Sequence, residues 1–198
     1  KAVDDGLICA PTEADQIERA NNIINLLLED NLKDKKFLDF GCGEGYIVKV
    51  SEGQTKLSLG YDPINPLYND FSKITANAPY DTILLYDVLD HSVEPQTILK
   101  QVKELLAKDG QIIVRCHPWC SPHGGHLYKQ LNLAYVHIIF TKEELQEMGL
   151  SCEIQQILNP LKTYAEWFKD FNIINQNIDR EPIPNVFRTH PVMIKRIM

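Results

Sequence analysis

Asp39, Gly41, Gly43 and Gly45, within Phe37-Leu38-Asp39-Phe40-Gly41-Cys42-Gly43-Glu44-Gly45-Tyr46, have the types and spacing to hold a nucleotide-like ligand. An apolar start, an acid and alternating glycines describe a buried strand breaking into a tight loop before a helix. Glycine accepts positive φ there, and its missing side chain lets a ligand lie directly on the backbone. Such a loop at the carboxyl edge of a parallel sheet is where α/β folds bind nucleotides. The pattern is neither the Gly-x-Gly-x-x-Gly of dinucleotide binders nor a P-loop, since no Gly-Lys-Ser/Thr follows. Asp62 ends the strand-like stretch that begins at Lys56. It lies about 20 residues past Gly41, where a carboxylate can accept two hydrogen bonds from a ribose diol. His91 and His126 are imidazoles able to take a proton near physiological pH, and Tyr128 can orient an acceptor.

The elements that must position these groups are legible from pattern. Thr12 caps a helix whose Ile17, Ala20, Ile24, Leu27 and Leu28 recur at helical spacing. Phe37–Phe40 is the first strand, Tyr46–Ser51 a short helix, and Lys56–Pro63 the second strand. The apolar run in Tyr80-Asp81-Thr82-Ile83-Leu84-Leu85-Tyr86 is that of a strand buried on both faces of a parallel sheet. Residues 96–107 follow as a helix, then Ile112-Ile113-Val114 as a strand. Ser151–Leu158 reads as a further strand, Thr163–Lys169 as a short helix, and Val192–Ile197 as a last strand.

Asp39-Phe40-Gly41-Cys42-Gly43-Glu44-Gly45 resembles motif I of the class I S-adenosylmethionine-dependent methyltransferases. Two later segments extend the likeness over residues 37–114. Asp87-Val88-Leu89-Asp90-His91 resembles the family's D-x-V-L-E-H, with Asp90 for Glu. Leu106-Ala107-Lys108-Asp109-Gly110-Gln111-Ile112-Ile113-Val114 resembles its L-K-P-G-G-x-L-x-V turn. The resemblance implies a Rossmann-like, seven-stranded, mostly parallel sheet with helices on both faces and an antiparallel last strand. Residues 1–198 would form one domain, with 1–36 as a helical strap. S-adenosylmethionine would be held by Asp39, Gly41, Cys42, Gly43, Gly45, Asp62 and Asp87. His91, His126 and Tyr128 would serve in-line methyl transfer to a small-molecule acceptor. The segment between Pro63 and Pro79 is short for the family's third helix and strand, leaving Asp70 as the candidate adenine contact. The alternative readings are a non-catalytic relative that binds S-adenosylmethionine or S-adenosylhomocysteine, and a zinc-dependent variant that uses the His/Cys loop.

The run from Cys116 to Tyr128 takes three readings. "G-G-H-x-[FY]" followed by Tyr135-Val136-His137-Ile138-Ile139-Phe140-Thr141-Lys142-Glu143-Glu144-Leu145 resembles a lid, over residues 116–140. Cys116, His117, Cys120, His123 and His126 are N and S donors suited to zinc. Structural zinc sites usually pair two separated knuckles, whereas these donors come from one run, so no metal is assigned. Packing histidines are the third reading.

At 198 residues the chain suits one α/β domain with a sizeable core. The formal net charge of −7 argues against nucleic acid as a partner. No apolar run is long enough to span a bilayer. Five scattered cysteines suit reduced thiols in a cytoplasmic protein better than a disulfide framework.

Overall fold

A computed structural model describes residues 12–28, 32–116, 127, 130–131, 133–150 and 161–176. The described chain falls into two compact units. One holds the residues through Leu89 together with Gln96–Cys116, the other Asp90–Pro95 and the described residues from Leu127 on.

The first unit is built on four parallel strands: β1 (Lys36–Phe40), β2 (Leu57–Tyr61), β3 (Tyr80–Tyr86) and β4 (Leu106–Arg115), in the order β2-β1-β3-β4. From β1 the chain moves outward to β2, then returns to place β3 on the other side of β1. The carboxyl ends of β1 and β3 therefore flank a topological switch point, where α/β sheets leave a crevice for ligand. Four of five residues of β1 are buried, as are five of seven in β3, so the inner strands are covered on both faces.

Helix α1 (Glu13–Leu27) starts at Thr12, whose side chain accepts from Asp15 N while Asp15 accepts from Thr12 N, a reciprocal capping box. Its Ile23 and Ile24, with Leu28 beyond the end, pack on Phe37 and Leu84 of the sheet, joined by Ile47 and Val50 of α2 (Tyr46–Ser51). Burial of each such side chain contributes about 1.5–3 kcal/mol. Ser51 Oγ and Ser58 Oγ lie 2.6 Å apart in the buried seam between α2 and β2, and Val48 O accepts from both. On the opposite face Phe40, Tyr61 and Phe71 stack in sequence with centroid spacings of 5.0 Å, which seats α3 (Phe71–Ala76).

The expected seven strands are not what the described residues form. No strand lies between Asp62 and Pro79: the segment spends its residues on a tight loop and α3, so the strand read as the fourth is β3 and the fifth is β4. The anticipated strands at 151–158 and 192–197 fall outside the described residues. The helix expected over 96–107, α4 (Pro95–Leu105), stops earlier than anticipated, and β4 begins at once at Leu106. Its register with β3 shifts between Tyr80 and Thr82, which absorbs the Lys108-Asp109-Gly110 turn as an irregularity within the strand.

In the second unit, α5 (Val136–Ile139) and α6 (Lys142–Glu147) follow one another, the latter with a Thr141–Glu144 capping box. Leu127, Val136 and Leu145 form a small core with Leu131, Phe140 and Leu150 against it. α7 (Leu161–Trp167) ends with Tyr164 and Trp167 in ring contact at 4.7 Å. Most of the expected lid, including His117, Cys120, His123, His126 and Tyr128, lies outside the described residues. Among the described residues no His/Cys/Asp/Glu group is arranged to hold a metal, and no helix is long and apolar enough to cross a membrane.

Candidate cofactor site

The glycine loop leaves β1 at Phe40 and is tied at once to β2, because Gly41 N and Cys42 N both donate to Tyr61 O at 2.7 and 3.1 Å. Gly41, Gly43 and Gly45 have φ of +86°, +53° and +76°. A Cβ at Gly41 would overlap Val88 Cγ2, so the close approach of the β3 exit admits no side chain there. Gly43 differs: a Cβ built on it would meet nothing within 4 Å, so this part of the loop faces open space. A ligand pressed on the backbone has room here. Tyr68 lies over Gly45 and against Gly60, closing the other side of the loop.

Asp39, one strand residue before Phe40, is 1% exposed, and its Oδ2 has no hydrogen-bond partner among the described residues. Burial pushes its carboxyl up to about 7, and the nearby charge of Asp62 adds to the rise. Burial likewise pushes the Cys42 thiol up, helped by Asp39 and Asp62, so it is a neutral lining group and not a nucleophile.

Asp62 clasps the loop. Its Oδ2 accepts from Gly43 N at 3.0 Å, and its Oδ1 accepts from Ile64 N and Asn65 N at 2.9 and 3.2 Å. Asn65 Nδ2 in turn donates to Gly43 O at 2.7 Å. The carboxylate read as a ribose acceptor is therefore also the brace of the loop, and only Oδ2 retains a lone pair beyond these bonds. Asp70 caps α3 by accepting from Lys73 N at 3.2 Å, and its bonds to Ser72 and Lys73 hold its carboxyl below the usual range. Asp87, with φ of +55°, is gripped by Arg115 through both carboxylate oxygens. His91 ends the 3₁₀ turn Leu89–His91 and is exposed.

Asp39, Asp62 and the glycines are thus brought together at the switch point, as the spacing suggested. Asn65, Tyr68 and Val88 complete the loop's surroundings without having been singled out. Asn65, three residues past Asp62, is the one with a legible signal, since Asn after Asp-Pro is turn chemistry.

Residues 13–172 match the family described as the methyltransferase domain. The chain belongs to that family. That match makes it a member of the class I S-adenosylmethionine-dependent methyltransferases. The site fits S-adenosylmethionine: a buried carboxylate oxygen without a donor among the described residues, and a glycine backbone open on one side. Among curated relatives, the tRNA U34 carboxymethyltransferase of Sulfurimonas denitrificans is 32% identical over 125 residues, 52% of this chain and 42% of that protein. The enzyme of the same name from Campylobacter fetus subsp. fetus is 33% identical over 104 residues, 42% of this chain and 37% of that protein. The matched stretch is thus less than half the length of these relatives. The solved plantazolicin methyltransferase BpumL, in complex with a pentazolic desmethylPZN analog and SAH, aligns at 16% identity and a TM-score of 0.47, covering 78% of this chain and 60% of that one.

The relatives named for a tRNA substrate overturn the expectation that nucleic acid is an unlikely partner. The physical reason is that a net charge sums every surface of the chain, whereas a nucleic acid meets one. The −7 of this methyltransferase coexists with a local pair of guanidinium groups, Arg19 and Arg115, at the carboxyl edge of its sheet.

Proposed function

We propose that this methyltransferase transfers the methyl group of S-adenosylmethionine, by in-line displacement, to a nucleoside within an RNA acceptor. The observation that carries the cofactor half is Asp39: a fully buried carboxylate oxygen with no donor among the described residues, beneath a loop whose Gly43 faces open space. The acceptor half is supported by the relatives' shared tRNA U34 name. A small-molecule acceptor is the second reading, supported by the likeness of Asp87-Val88-Leu89-Asp90-His91 to the D-x-V-L-E-H segment common in methyltransferases acting on small molecules.

The cofactor supplies an activated methyl on a sulfonium; the protein's residues supply alignment and a dry surface. Gly43 would present bare backbone to the methionyl part, Gly41 and Gly45 make room for Val88 and Tyr68 beside it, and Cys42 would be a neutral wall. Asp39 offers the buried acceptor for a cationic amine. Asp62 fixes Gly43 and offers the remaining lone pair of Oδ2 to a ribose hydroxyl. Asp87 holds the β3 exit through Arg115. The family resemblance supplies His91 or His126 as the proton acceptor and Tyr128 as the group that orients the acceptor.

Asp62→Ala tests the site. It leaves the N–H groups of Gly43, Ile64 and Asn65 without their acceptor, so the loop loses its brace as well as its ribose contact. The expected result is calorimetric binding of S-adenosylhomocysteine by the native chain, weakened tenfold or more in the variant, since bonds to a charged group are worth about 1.5–3 kcal/mol. Unchanged affinity removes Asp62 from the cofactor site. Incubation with methyl-labelled cofactor and bulk tRNA then tests the acceptor: label in RNA supports the first reading, and label only in small metabolites supports the second.

A further inference from the structure

The carboxyl edge of β3 and β4 carries a cluster that the cofactor loop does not use. Two guanidinium groups approach the ring of Tyr86: Arg115 of β4 is 4.8 Å from the ring centroid and Arg19 of α1 is 5.5 Å from it. Asp87 is bound directly by Arg115, whereas Arg19 Nη2 stands 3.9 Å from Asp87 Oδ2. Among the described residues two guanidinium groups and one carboxylate meet here, on a chain of net charge −7. Among the described residues Arg19 donates no hydrogen bond, although its side chain is 39% exposed. The ring steadies it without consuming its N–H groups. A guanidinium is a planar fork of donors, weakly hydrated, and matches two oxygens of a phosphate at once. Val88, next to Asp87, packs on Gly41, which puts the cluster one residue from the cofactor loop.

We propose that Arg19, steadied by Tyr86 and flanked by the Arg115–Asp87 pair, receives a phosphate group carried by the methyl acceptor. The proposal rests on the reading of this sheet edge as the active edge and names what the acceptor must bear. An RNA chain offers such a phosphate at each nucleotide, and a phosphorylated small molecule offers one as well. A purely structural role, in which Arg19 only covers Tyr86, predicts a change in stability and none in phosphate affinity.

The test uses native protein, Arg19→Gln and Arg19→Lys, each saturated with S-adenosylhomocysteine, and a fluorescein-labelled single-stranded RNA read by anisotropy. Arg19→Gln should bind the RNA about tenfold more weakly, with a log–log salt slope smaller by about one. Its melting temperature and S-adenosylhomocysteine affinity should stay native, and Arg19→Lys should recover part of the RNA affinity. Equal RNA affinity in native and Arg19→Gln proteins overturns the proposal. So does a loss confined to S-adenosylhomocysteine binding, which would place Arg19 on the donor side. Should the native protein bind no RNA, the RNA-acceptor reading fails separately, and calorimetry with inorganic pyrophosphate decides. Binding by the native protein that Arg19→Gln loses sustains a phosphate receptor for a small acceptor; no difference between the two overturns it.

Discussion

Asp39→Asn should abolish a pH dependence of stability that the free native protein carries between about pH 4 and pH 7. The native carboxyl titrates near 7, against an ordinary value of 3.8, because it is buried and faces the charge of Asp62. Across that window the unfolded chain has already released the proton and the folded chain still holds it. The unfolded state therefore binds fewer protons, and stability falls as pH rises. The contribution is fully present below pH 4 and gone above the folded value, a loss on the order of 4 kcal/mol. Asparagine does not titrate, so urea unfolding of the variant should give the same free energy at pH 5 and pH 8 from this site, and at pH 8 the variant should be the more stable protein. The same substitution should weaken S-adenosylmethionine binding, because a cationic amine finds an amide where a carboxylate stood. Binding to the native protein near pH 7 should release a proton from Asp39, visible as a calorimetric enthalpy that changes with the ionisation heat of the buffer. A native stability curve flat between pH 5 and pH 8 would remove Asp39 as the buried acceptor.

The parts of this arrangement that the chain announces in advance are those set by local rules. Phe37–Phe40 and Ile83–Leu85 read as inner strands because both faces of a parallel sheet are covered, and they are so buried. Thr12 and Asp15 read as a helix start because orphan N–H groups need an acceptor, and they form the reciprocal pair. The strand count did not follow, since the loop after β2 and α3 take up the residues that a third strand of the family needs. Asp62 carried two meanings, ribose acceptor and turn residue, and the hydrogen bonds from Gly43, Ile64 and Asn65 show the turn chemistry at work inside the site. The Arg19, Tyr86, Asp87 and Arg115 cluster has no local signature at all. Its members come from α1, β3 and β4, and only the strand order β2-β1-β3-β4 brings them together. Charge misled for a related reason: a sum over the chain has no position, and binding happens at one.

Gly41→Ala should be strongly disruptive, and Val88→Ala should partly reverse it. Two separate costs act at residue 41. Its φ of +86° is a left-handed conformation that an L side chain adopts at about 1–2 kcal/mol. Its new Cβ would also overlap Val88 Cγ2 and lie 3.2 Å from Cγ1, a branched side chain with few rotamers to retreat into, at about 1–3 kcal/mol more. Urea unfolding should therefore show a loss of about 3 kcal/mol for Gly41→Ala, with a coupling of at least about 1 kcal/mol in the cycle with Val88→Ala. The residual loss in the double variant measures the backbone part. Gly43→Ala separates folding from binding in the opposite sense. At φ of +53° with nothing within 4 Å of the added methyl, it should cost only about 1 kcal/mol of stability. Yet that methyl fills the open face of the loop, so S-adenosylhomocysteine affinity should collapse in a protein that still folds. A Gly43→Ala protein that binds the cofactor as the native one does would move the ligand off this face. The pair of outcomes distinguishes a glycine kept for its neighbour from a glycine kept for its ligand.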